Sequence, residues 1–170
     1  MPGDRPRVLV LHGPNLNLLG VREPEIYGAS GLATINAGLV ALGEQLGVEV
    51  ETHQANGEGQ LIDRIHLFGG HAIPAAHREA GAQSVDPPSA GHGLIINPGG
   101  FTHTSVALRD AIAGVGLPTI EVHLSNIYAR EPLRHTSITG GACLGVIMGL
   151  GPESYHLALH ALAARLSVSP

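Results

Sequence analysis

The sequence predicts an α/β protein built on five parallel strands with helices on both faces. Three observations carry that expectation. Short apolar runs alternate with stretches of helical spacing along the 170 residues. Hydrophobic residues make up 44% of the chain, enough for one substantial core and one domain spanning 1–170. Loops rich in Asn and His follow successive strands, at the end where open α/β sheets bind ligands.

The elements follow in order. Arg7–Leu11 (RVLVL) reads as a buried strand. Leu32–Leu46 has helical spacing, with Ser30 near its start and Gly47 after its end. Val48–His53 alternates apolar and charged residues, as a half-buried strand does. Glu58–Phe68 reads as a helix with Leu61, Ile62 and Ile65 on one face, closed by Gly69 and Gly70. Leu94–Asn97 is the third strand, Thr104–Val115 a helix stopped by Gly116 and Pro118, and Thr119–His123 the fourth strand. Leu144–Leu150 is the fifth strand, and Pro152–Leu166 a helix with proline near its start. For this length a flavodoxin-like order 2-1-3-4-5 is the natural expectation. Residues 70–92 stand apart: rich in Pro, Gly and His, they form an insertion before the third strand, with a short helix near Pro74–Ala80.

The polar clusters then fall at one end of the sheet. They are His12–Asn17, Gln54–Asn56, Asn97–His103 and His123–Asn126, one after each of the first four strands. Their convergence on one crevice predicts an active site.

Composition removes several classes. Aromatics are 3%, so Ala, Val, Leu and Ile fill the core. A net charge of −5 argues against nucleic acid and anionic membranes as partners. The sequence has neither a bilayer-spanning apolar run nor a signal-peptide pattern. One cysteine, Cys143, excludes an internal disulfide and fits the cytoplasm; its apolar, Gly-rich setting reads as core. All nine basic residues are arginine. Without lysine there is no lysine imine, no usual PLP linkage and no Walker A loop. Eleven histidines invite a zinc reading, yet there is no Cys pair and no His-Glu-x-x-His, so no metal is expected.

Tyr27 follows Arg22 inside a Gly- and Pro-shaped loop. A guanidinium about 4 Å from a phenol favours the phenolate by about 4 kcal/mol at an effective dielectric near 20. One close arginine can thus make tyrosine a usable base; the alternative is a surface tyrosine with an unrelated arginine. His103 and His123 are candidates for a general acid or a substrate donor, or else capping or buried structural histidines. Asn15 and Asn97 offer donors to a developing enolate oxygen, or simply tie loops together. Arg130 and Arg134, four apart, suit a carboxylate, or stand in solvent or an interface. Glu121 lies in a buried strand and needs a partner, one of these arginines or a histidine.

These residues sit in motifs that resemble the type II 3-dehydroquinate dehydratases. The motifs are Gly13-Pro-Asn-Leu-Asn-Leu-Leu-Gly20, Arg22-Glu-Pro-x-x-Tyr27-Gly28, Asn97-Pro-Gly-Gly-x-Thr-His103 continuing to Asp110, Glu121-Val-His123-Leu-Ser-Asn126, and Ala129-Arg-Glu-Pro-Leu-Arg134. The resemblance covers almost the whole chain outside 70–92. It implies a flavodoxin-like fold, a homododecamer built from trimers, and no cofactor. It also implies reversible dehydration of 3-dehydroquinate to 3-dehydroshikimate, in the shikimate pathway or in quinate breakdown, through an enolate without imine or metal. On the same basis Tyr27 is the base, Arg22 lowers its pKa, and His123 is the proton donor. Asn97, His103, Leu124, Ser125 and Arg134 bind substrate, Asp110 reaches a neighbouring subunit's site, and Arg130 supports the lid loop or its tyrosine. Three features depart from the family's usual pattern: His12 in place of asparagine, Gly57 in place of histidine, and the longer 70–92 segment. His12 and Gly57 leave room for a non-catalytic binder of shikimate-like acids. A flavin or phosphate carrier is disfavoured, because Pro14 and Leu16 stand where a phosphate-cradling glycine loop would.

Overall fold

Residues Arg7–His12 form β1, in which Val8, Leu9, Val10 and Leu11 are all fully buried. A strand apolar on both faces must be covered on both, and that sets the layering. The computed structural model describes residues 5–21, 31–77 and 91–167. In it β1 pairs in parallel with β2 (Glu49–Gln54) on one side and β3 (His92–Asn97) on the other. β4 (Thr119–His123) and β5 (Gly145–Met148) extend the sheet, giving the order β2-β1-β3-β4-β5. That is the flavodoxin-like order expected from sequence.

Alternation along the strands sorts the core into two layers. Val8 and Val10 of β1, Ile95 of β3 and Val122 of β4 pack beneath α1 (Leu32–Leu46) and α4 (Glu153–Ser167). Leu9, Leu11, Leu94 and Ile96 face the opposite way, beneath α2 (Glu58–Phe68) and α3 (Val106–Val115). Each such fully buried Leu or Ile stabilises the fold by roughly 1.5–3 kcal/mol. Few aromatics contribute: among the described residues Tyr155 and Phe68 are the fully buried ones.

Local chemistry moves several boundaries. β1 runs one residue past the expected Leu11, because His12 continues the ladder opposite Gln54 and Asn97. β2 ends at Gln54 for the same reason, and β3 starts two residues before Leu94, where His92 pairs with Arg7. α3 begins at Val106 rather than Thr104, because the Ser105 hydroxyl caps it, accepting from Leu108 N at 2.8 Å. β5 is shorter than expected, its flanks being taken by turns. Gly47, in the left-handed region (φ 73°), closes α1 as the sequence indicated. Ser30 lies outside the described residues; the residue capping α1 is Gly31.

In the 70–92 segment, Ala75–His77 forms a short 3-10 turn in place of the expected helix start, and residues 78–90 lie outside the described residues. His77 Nδ1 lies 3.4 Å from Asp63 Oδ2, so this stretch turns back alongside α2.

Candidate active site

The carboxyl ends of β1, β3 and β4 open into a cleft of about 150 Å³. The loop after β1 contributes Pro14, Asn15 and Leu16; the loop after β3, Gly99, Gly100 and His103 beside Asn97; the end of β4, His123, Leu124 and Ser125. Arg130 and Arg134 line it from the chain that follows. Three of the four expected loops therefore converge. The loop after β2 does not line the cleft but braces the first: Gln54 Nε2 donates to Gly13 O (3.2 Å), and Asn56 Oδ1 accepts from Asn15 N (3.0 Å). Asn15 sits in the left-handed region, φ 69°, held there by that brace.

The first and third loops meet backbone to backbone. Gly13 N donates to Asn97 O at 2.7 Å, and a Cβ on Gly13 would fall on the Pro98 carbonyl. Only glycine permits that approach.

Glu121 and His123, two apart on β4, point to the same face. Glu121 is fully buried and His123 nearly so, with Nε2 donating to Glu121 Oε1 at 2.7 Å. The partner of Glu121 is thus the histidine and not an arginine. Three hydroxyls complete the shell: Thr102 (2.8 Å) and Ser137 (2.7 Å) to Oε1, and Thr139 (2.5 Å) to Oε2. Burial by itself pushes the Glu121 carboxyl up, but hydrogen bonds from His123, Thr139 and Ser137, and the His123 charge, together outweigh it. The carboxyl lies below its ordinary range and is ionised. With Nε2 committed to that carboxylate, Nδ1 is the atom His123 has left to offer.

His103 Nδ1 donates to Thr136 O at 2.7 Å, which leaves Nε2 as an acceptor in its neutral form. Arg130 and Arg134 share the exposed Glu131 carboxylate, at 3.4 and 3.1 Å from their Nε atoms, and Arg130 also donates to Ser125 Oγ at 3.3 Å. Glu131 is held below its ordinary value by its own backbone N–H first and then by these arginines. The Leu124 carbonyl accepts from Gly151 N (2.9 Å), tying the end of β4 to the start of α4. Asp110 does not line the cleft; it is exposed on α3, 3.4 Å from Arg109 Nη1. Arg22 and Tyr27 lie outside the described residues, which end at Val21 and resume at Gly31. Leu18 and Leu19, just before that point, line the cleft.

Sequence reasoning missed Thr102, Ser137 and Thr139, and also Tyr155 and Asn36, which hydrogen-bond His12 from α4 and α1. Thr102, Ser137 and Thr139 lie in loops and turns, where hydroxyl residues carry no periodic signal. Cys143 packs against the core layer under α2 and α3, and burial first, then the Glu121 charge, push its thiol up to about 12. Among the described residues no cluster of three or more His, Cys, Asp or Glu is placed to hold a metal ion, and no helix is long and apolar enough to cross a membrane.

Residues 6–163 match the family model for class II dehydroquinases. The chain is 51% identical over 156 residues to the 3-dehydroquinate dehydratase of Carboxydothermus hydrogenoformans, covering 92% of this chain and 89% of that one. It is 52% identical over 163 residues to the 3-dehydroquinate dehydratase of Laribacter hongkongensis, covering 95% and 93%. The crystal structure of type II dehydroquinase from Propionibacterium acnes superposes with a TM-score of 0.79 at 36% identity, covering 95% of this chain and 99% of that one. A buried carboxylate–histidine pair under an Asn- and His-lined cleft, on a sheet shared with such relatives, leaves one assignment: the chain belongs to the class II dehydroquinase family.

Proposed function

We propose that this chain removes water reversibly from 3-dehydroquinate to give 3-dehydroshikimate, with Tyr27 as base and His123 as acid. Arg22 lowers the Tyr27 pKa, and the phenolate takes the proton from the carbon beside the ketone. The electrons move onto the ketone oxygen as an enolate, which the neutral donors Asn15 and Asn97 suit. The enolate then collapses and expels the β-hydroxyl, which leaves as water with a proton from His123 Nδ1. The ionised Glu121 supports the imidazolium that must form before that transfer.

The remaining polar groups hold the substrate. His103 Nε2 accepts from a substrate hydroxyl. Asn97, Leu124, Ser125 and Arg134 bind around it, and Arg130 steadies Ser125. Asp110 contacts the site of a neighbouring subunit. A dodecamer of trimers is the proposed assembly. The position of β5 at the end of the sheet and the exposed Leu144 and Leu150 beside it support an assembled state. The proposed compartment is the cytoplasm, which one unpaired cysteine suits.

The observation that carries the reading is the buried Glu121–His123 pair at the floor of the cleft. The test is optical. Dehydroshikimate is a conjugated enone and dehydroquinate is not, so purified protein with 3-dehydroquinate should raise near-ultraviolet absorbance. Borohydride added with substrate should leave the rate intact, since no imine forms. A flat trace with folded protein, or inactivation by borohydride, defeats the proposal.

A further inference from the structure

His12 and Asn97 are register partners in the parallel β1–β3 ladder, side by side at the carboxyl edge of the sheet. Both point to the face covered by α1 and α4, because they continue the rows of Val8 and Val10 and of Ile95. Each of those helices sends one polar side chain down to them. The Asn36 Oδ1 of α1 lies 2.8 Å from His12 Nε2, and the Tyr155 hydroxyl of α4 lies 2.8 Å from His12 Nδ1. Burial pushes the Tyr155 phenol up, and the neighbouring Asn97 side chain opposes that. His12 and Tyr155 are both fully buried, so each polar atom must find its partner within this chain of groups.

The direction of every hydrogen follows from the ends. Asn36 Oδ1 only accepts, so His12 Nε2 carries the proton and Nδ1 is bare. The bare nitrogen accepts from the Tyr155 O–H. The phenol oxygen then has lone pairs alone to offer Asn97, so the Asn97 amide nitrogen turns toward it. At the other end of that amide, Oδ1 accepts from Gly99 N at 3.2 Å. A flipped Asn97 would set its carbonyl against an oxygen with no hydrogen to give, and its NH₂ against the Gly99 N–H.

We infer that His12 and Tyr155 are positioning residues for Asn97, fixing its amide with the nitrogen inward so that one N–H remains for the bound substrate. The chain works only with neutral His12, since a charged ring would donate from both nitrogens and leave the Tyr155 hydrogen to face Asn97. Burial holds His12 neutral, its pKa lowered to about 4 despite the Asn36 hydrogen bond. The inference rests on the reading of Asn97 as a substrate-binding residue.

The test is a double-mutant cycle on kcat/KM, followed by enone absorbance, with melting temperature and circular dichroism measured on each variant. Asn97→Ala should lower kcat/KM strongly. Tyr155→Phe, which removes one hydroxyl, should lower it about five- to tenfold, as one lost hydrogen bond does. In the Asn97→Ala background that same change should cost nothing further, whereas a merely structural loss would multiply through. His12→Gln, which keeps an acceptor and a donor, should retain more kcat/KM than His12→Leu. Folded Tyr155→Phe with unchanged kcat/KM, or effects that multiply in the double variant, would overturn the inference. An unaffected Asn97→Ala enzyme would instead remove Asn97 from the substrate site and leave the dehydration itself standing. If Tyr155→Phe does not fold, the His12→Gln and His12→Leu pair run through the same cycle decides the matter.

Discussion

His123 Nε2 lies 2.7 Å from Glu121 Oε1, two residues earlier on the same strand. The i,i+2 spacing puts both side chains on one face, and the buried carboxylate fixes the ring by one nitrogen while leaving the other for substrate. Glu121→Gln should therefore lower kcat by about a hundredfold or more, because an amide stabilises no imidazolium. KM should move little, since Glu121 does not line the cleft. Steady-state kinetics over a pH series provide the check; a pure KM effect would make the pair a binding device.

The base and its arginine give a second expectation. Tyr27→Phe should lower kcat by two or more orders of magnitude, the usual weight of a general base. Arg22→Ala should lower kcat more than it raises KM, because its proposed task is to stabilise a phenolate. A change in KM alone would recast Arg22 as a substrate anchor.

Gly13 and Asn97 are joined through the backbone at 2.7 Å, with no room for a Cβ against the Pro98 carbonyl. Gly13→Ala must push the first and third loops apart. The expected cost is about 1–3 kcal/mol of stability, as for other overpacked sites, together with a raised KM as Asn15 and Asn97 separate. Denaturant unfolding and initial rates measure the two effects; an unchanged melting point would mean the loops give way freely.

Much of this was legible in the sequence for one physical reason. In a doubly covered parallel sheet the strands are apolar on both faces, so Val8–Leu11 and Leu94–Ile96 stand out as runs. The polar residues that end them must then sit at the rim. What stayed hidden depends on partners distant along the chain. His12 looked like the first residue of a loop, yet its partners Asn36 and Tyr155 are 24 and 143 residues away. The need of Glu121 for a partner was legible, but the hydroxyls of Thr102, Ser137 and Thr139 were not, since such residues are common in any loop. Arg130 and Arg134, expected as candidates for that role, turn to Glu131 instead.

Cys143 gives a chemical check on the same region. Its thiol is pushed up to about 12 by burial and by the Glu121 charge, so almost none is thiolate at neutral pH. Iodoacetamide at pH 7.5 should label the native protein far more slowly than the unfolded chain, and Cys143→Ser should keep its turnover. Mass spectrometry of timed samples reads this directly; rapid labelling of folded protein would mean that the site is more open than the packing of Cys143 implies.

The neutral state of His12 makes stability depend on pH with a definite sign. Its pKa falls from 6.5 to about 4 on folding, with burial the largest cause, then the Asn36 hydrogen bond opposing and the nearby His53 charge adding. Between those values the unfolded chain binds a proton that the folded one refuses. Stability therefore rises with pH across that window and falls as the solution is acidified from 6.5 toward 4. At about 1.36 kcal/mol per pKa unit the loss is roughly 3 kcal/mol. His92 is also lowered by burial and adds a contribution of the same sign. Glu121 acts lower: its depressed pKa contributes stability above its ordinary 4.5, lost as pH falls through the folded value. Urea unfolding at steps from pH 7 to pH 4 should thus show a steep wild-type profile and a flatter one for His12→Gln, which has nothing to titrate at that position. Parallel profiles for the two proteins would mean that His12 carries its proton inside the fold, and the polarity assigned to the His12–Tyr155 hydrogen bond would have to be reversed.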